Sequence, residues 1–60
     1  MTIIKKEDIL DVFHEGSCLL VSRDFQDIYA GNTIVIEGKE VRVLRVECGR
    51  NRMVLSIKAN

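Results

Sequence analysis

The stretch Val41-Arg42-Val43-Leu44-Arg45-Val46-Glu47-Cys48-Gly49-Arg50-Asn51-Arg52-Met53-Val54-Leu55-Ser56-Ile57-Lys58 decides the fold. Apolar and polar residues alternate along both of its arms, the two-residue period of a half-buried β-strand. Gly49-Arg50-Asn51 breaks the alternation with turn-forming residues, so the two arms make a β-hairpin. In the second arm Met53, Leu55 and Ile57 share one face, and Arg52, Val54, Ser56 and Lys58 share the other. The first arm changes phase: Val41 and Val43 have one parity, Leu44, Val46 and Cys48 the other. Keeping one face buried through that change requires a β-bulge or a sharp bend near Val43-Leu44. Strongly curved sheets and small barrels turn their corners at such bends.

Upstream, Thr33 to Glu37 reads as a strand with Ile34 and Ile36 on one face and Thr33, Val35 and Glu37 on the other. Glu37-Gly38-Lys39-Glu40 then makes a tight turn in which Gly38 supplies a positive φ. Ser17 to Ser22 is a short apolar run with turn-prone ends, a further strand. Between these strands, Arg23 to Gly31 is the longest irregular stretch, with Asp24, Asp27, Gly31 and Asn32 as turn formers. From Lys5 to Glu15 the residues Ile9, Val12 and Phe13 fall at i, i+3 and i+4 with Leu10 beside them, the stripe of an amphipathic helix. Glu7 and Asp8 suit its N-terminal dipole, and His14 and Gly16 suit its C-terminal end. Ile3 and Ile4 form an extended lead-in or join the same apolar face. The expected fold class is therefore α+β: an N-terminal helix followed by about four antiparallel strands in a small curved sheet or SH3/OB-like barrel. Residues 1–60 are expected to form a single small domain. A sheet whose strands are shared between two chains is the alternative.

Sixty residues bury only about 60% of the unfolded surface, so the core is marginal and association with a partner or a second copy is favoured. The net charge is zero, but it is unevenly spread. Residues 1–38 hold three cations against seven anions, and residues 39–60 hold six against two. The two halves either neutralise each other in the folded chain or leave a basic face for a polyanion. Cys18 and Cys48 stand thirty residues apart in apolar strand patterns and are expected to be small buried hydrophobes with free thiols. That pattern suits a reducing, cytoplasmic setting. No apolar run approaches the ~20 residues of a membrane helix.

His14 is the single histidine, and there is neither a metal-ligand cluster nor a phosphate-cradling glycine loop, so no metal or cofactor is expected. His14 and Glu15 are adjacent and point to different sides, and no catalytic residue is expected. The expected function is a non-enzymatic binding module. Arg42, Arg45, Arg50, Arg52 and Lys58 are the candidate nucleic-acid contacts, for single-stranded RNA, because guanidinium and ammonium groups along one strand face engage phosphates and displace counterions. The competing reading is a solvated face that guards a sheet edge. Phe25, Ile28 and Tyr29 are the candidate protein-binding residues of an adaptor, inhibitor or self-associating subunit. Alternatively they fold under and cap the open end of a barrel.

Val41-Arg42-Val43-Leu44-Arg45-Val46-Glu47, then Arg50-Asn51-Arg52, then Leu55-Ser56-Ile57-Lys58 resembles the final hairpin of the ribosomal S-one-type RNA-binding domain, an OB-fold repeat. The resemblance implies a barrel-like sheet and an RNA-contacting basic surface. Leu19-Leu20-Val21-Ser22-Arg23, Gly31-Asn32-Thr33-Ile34-Val35-Ile36, Val41 to Val46 and Ile57-Lys58-Ala59 are more loosely similar to the carbon storage regulator family. Those dimeric RNA-binding translational repressors interlock strands between chains. Val54 stands where that family carries its RNA-contacting arginine, so this second likeness implies the strand order rather than the RNA site.

Overall fold

The computed structural model describes residues 1–59. Six strands, β1 (Ile3–Ile4), β2 (Ile9–Phe13), β3 (Cys18–Ser22), β4 (Thr33–Ile36), β5 (Lys39–Cys48) and β6 (Arg52–Ala59), lie in one sheet in the order β1-β4-β5-β6-β3-β2. All neighbours are antiparallel except β1 and β4.

The strand order forces the sheet to curl. β1 and β2 are opposite edges of the sheet, yet only Lys5 to Asp8 separates them in the chain. Five residue steps reach roughly 17 Å when fully extended. Six flat strands would set their outer members roughly 24 Å apart. The edges therefore approach each other, and the sheet closes into a half-barrel. A 3-10 turn at Lys6–Asp8 makes the link. Asp8 ties it at both ends: its amide donates to the Lys5 carbonyl (2.9 Å), and its carboxylate accepts from the Lys5 amide (3.0 Å). An open seam of about 360 Å³ remains along β2, between Ile9, Leu10 and Val12 on one side and Glu37 on the other.

The concave face carries the core: Ile4, Leu19, Val21, Ile28, Ile34, Ile36, Val41, Val43, Met53 and Leu55 are buried. Strand alternation produces all of this set except the loop residue Ile28, because Leu19 faces Leu55 and Val21 faces Met53 across the β3–β6 ladder. In β5 the register slips between Val43 and Arg45, so Leu44 is the extra residue of a β-bulge and its side chain is exposed. The bulge lets Val41, Val43 and Val46 all turn inward despite their change of parity.

The helix expected over residues 5–15 is absent: the described residues contain no α-helix, and the fold is a curled all-β sheet rather than α+β. Ile9 to Phe13 form an edge strand with a register shift between Ile9 and Asp11. One inserted residue places Ile9 and Val12 on the same sheet face, opposite Val21 and Leu19. A bulged strand thus reproduces the i, i+3 spacing of a helix. His14, Glu15 and Gly16 all have positive φ and make the β2–β3 connection, not a helix end.

Both cysteines also depart from expectation. Cys18 lies on the convex face, half-buried, with its Sγ 3.8 Å from Ser56 Oγ. Cys48 faces inward opposite Met53 but sits at the open mouth of the half-barrel, where nothing covers it.

The β4–β5 connection is a two-residue loop, Glu37-Gly38, with φ of 50° and 81° and Ile36 opposite Lys39. Two consecutive positive φ values define a type I′ turn, which favours asparagine over glutamate at the first position. Glu37→Asn is expected to stabilise the fold by about 0.5–1 kcal/mol. The readout is a higher urea midpoint with an unchanged slope. A lower midpoint would mean that the glutamate carries no strain there.

Candidate nucleic-acid interface

The convex face of the β5–β6 hairpin displays the residues that the concave face rejects. Arg42 and Lys58 stand directly opposite each other, with Thr33 completing the row on β4. Two residues along, Arg45 faces Ser56, Ser56 faces Cys18, and Cys18 faces Phe13. Strand spacing puts Phe13 roughly 15 Å from Arg45 across that row. Phe13 is 41% exposed, and the bulged Leu44 between Arg42 and Arg45 is 52% exposed.

The register divides the five candidate cations into two groups. Arg42, Arg45 and Lys58 share one end of the convex face. Arg52 lies opposite Ser22 at the other end, roughly 20 Å along β6 from Lys58. Arg50 lies in the β5–β6 turn beside it. Glu47 stands between the groups on the same face, opposite Val54. The single ion pair among the described residues joins Arg45 to Glu47 at 2.8 Å, with both side chains more than half exposed. Such a pair contributes little, roughly 0–1 kcal/mol. Arg42, Arg50, Arg52 and Lys58 have no carboxylate partner among the described residues. The acidic half of the sequence therefore does not neutralise the basic half through contact ion pairs.

Two members of the surface were not legible as such in the sequence. By spacing alone Phe13 falls in the apolar stripe with Ile9 and Val12, and only the bulge in β2 turns it outward, opposite Cys18. Arg23 opens the irregular stretch between β3 and β4, where no local pattern gives it a partner. Its amide donates to the Asn51 carbonyl (3.1 Å), and its Nη1 donates to the Gly49 carbonyl (2.9 Å), which brings it to the hairpin turn. Ser22, Arg23, Asp24, Arg50 and Asn51 line a polar notch there.

A second concavity, an open groove of about 600 Å³, lies at the mouth of the half-barrel. Phe25, Ile28, Tyr29, Val46, Cys48 and Met53 line it. Ile28 is a core residue, 5% exposed, and it anchors the loop from beneath. Phe25 is half-buried against that core, whereas Tyr29 is 63% exposed. The loop is tied down on both sides of Tyr29. The Tyr29 amide donates to Asn32 Oδ1 (2.7 Å), Asn32 donates back to the Tyr29 carbonyl (3.1 Å), and Gly31 donates to the Val43 carbonyl (2.7 Å).

Among the described residues no cluster of three or more His, Cys, Asp or Glu could hold a metal ion. No helix among them is long and apolar enough to cross a membrane. Comparison with known family models, with curated proteins and with solved structures finds nothing that matches this chain.

Proposed function

We propose that this chain is a non-enzymatic module that binds single-stranded RNA on the convex face of the β5–β6 hairpin. The observation that carries the reading is the Arg42–Lys58 pair. Like charges directly opposite on adjacent strands destabilise a sheet, and here no carboxylate of the described residues contacts either charge, the nearest on that face being Glu40, two residues from Arg42 along β5. A surface that bears this cost is suited to an anion that removes it. Phosphates fill that role, and each one bound releases counterions.

The apolar groups among the cations favour single strands over duplex. Phe13 and Leu44 offer flat and aliphatic surface to unstacked bases, which a duplex keeps covered. Arg45, held by Glu47, can exchange its exposed carboxylate partner for a phosphate at small cost.

The test is fluorescence anisotropy of a labelled single-stranded oligoribonucleotide across a salt series. Engagement of Arg42, Arg45 and Lys58 predicts a slope of log K against log salt of about −2, from roughly −0.7 per phosphate neutralised. A duplex of the same sequence should bind more weakly. Absence of binding at low salt, or binding insensitive to salt, would remove the proposal.

A further inference from the structure

We infer that the groove at the mouth of the half-barrel and the polar notch beside it form one site for a nucleotide unit, a planar base carrying a phosphate. Arg23 lines both concavities, so they adjoin at its side chain. The groove supplies what a base needs. It has the volume of a small-molecule pocket, an apolar floor of Val46 and Met53, and two aromatic rings at its wall, Phe25 and Tyr29. Tyr29 is exposed although its loop is held by three hydrogen bonds and by the buried Ile28, so its ring is presented on a rigid support. Stacking on a preset ring loses less freedom than stacking on a mobile one.

The notch supplies what a phosphate needs. Arg23 keeps donors free beyond the Nη1 that holds the Gly49 carbonyl, and Arg50 on the turn faces the same space. Asp24 is the one carboxylate in the notch, and neither guanidinium is ion-paired to it. Two cations against one anion leave the notch positive. Base and phosphate subsites therefore adjoin, with Arg23 at their junction. These residues are not those of the convex-face site, so either proposal can fail while the other stands.

The experiment titrates the 15N-labelled full chain with uridine monophosphate, with uridine, with inorganic phosphate, and with a 5′-phosphorylated single-stranded oligonucleotide. The expected result is saturable movement of the Arg23, Phe25, Tyr29 and Arg50 amide signals with the monophosphate or the oligonucleotide. An upfield shift of the Tyr29 ring protons should accompany it. Uridine and phosphate alone should bind roughly tenfold more weakly or worse. Tyr29→Ala and Arg50→Ala, both at exposed positions, should each weaken binding by roughly tenfold. Lys6→Ala, which removes an exposed cation in the β1–β2 link outside both sites, should leave it unchanged. Binding of the free monophosphate assigns the site to soluble nucleotides, and binding of the oligonucleotide alone assigns it to a strand end. No saturable shift with any of them overturns the inference. So does phosphate matching the monophosphate while the Tyr29 ring protons stay in place.

Discussion

Replacing Lys58 by glutamate is expected to raise the melting temperature and at the same time to lower the affinity for single-stranded RNA. The two effects have one origin. Lys58 stands opposite Arg42 on the convex face, and no carboxylate of the described residues is in contact with the pair. Lys58→Glu turns a cross-strand repulsion into an attraction, a change of about 1 kcal/mol. In a domain this small that corresponds to a rise of roughly 4–8 °C. Lysine and glutamate are similarly poor strand formers, so backbone propensity does not confound the comparison. The same substitution removes one phosphate contact and sets an anion beside Arg42, which should weaken RNA binding by roughly thirtyfold or more. Calorimetry and anisotropy on one preparation read both effects. A variant that melts lower would show that the pair is not strained, and one that binds RNA as the parent does would show that it is not part of the RNA site.

Leu55→Ala is expected to unfold the chain at room temperature. Leu55 is 0% exposed at the centre of the concave face, where it meets Leu19 on one side and Val46 on the other. Truncating a buried leucine costs about 2–5 kcal/mol, because the cavity it leaves closes only in part. A single core of this size supplies about 3–5 kcal/mol in total. The neighbouring Val54→Ala, half-buried on the convex face, should cost under about 1 kcal/mol. Urea unfolding followed by circular dichroism separates the two. Comparable losses at positions 54 and 55 would contradict the assignment of faces in β6.

The hairpin was legible because its information is local. Alternation assigns Met53, Leu55 and Ile57 to one face, and the phase change at Val43-Leu44 demands the bulge that the structure contains. Ile34, Ile36 and the Glu37-Gly38 turn were equally readable. Residues 5–15 mimic a helix for a physical reason. A bulge in β2 imitates helical spacing over the few residues available, and the charges of Glu7, Asp8 and His14 fit a helix as well as they fit two turns. The parallel pairing of Ile3–Ile4 with β4, which closes the half-barrel, joins segments some thirty residues apart and leaves no local pattern.

The candidate site was legible in part for the same reason. Which residues are cations is in the sequence, but which of them meet is set by register. The hairpin register pairs Arg42 with Lys58, while Arg23 reaches Arg50 only through the β3–β6 ladder and the Gly49 carbonyl.

The β2 edge shows how the fold limits its own exposed strand. Val12 is half exposed, yet its amide is occupied by the Asp11 carboxylate at 2.8 Å, and the bulge beside it breaks the flat edge. Both features hinder another chain from pairing there.

The most direct measurement is the map of amide shifts in the 15N-labelled chain as a single-stranded oligoribonucleotide is added at low salt. Shifts concentrated at Phe13, Arg42, Leu44, Arg45, Ser56 and Lys58, and reversed by added salt, are the predicted result. A saturating ligand that leaves those six signals in place would contradict the convex-face site.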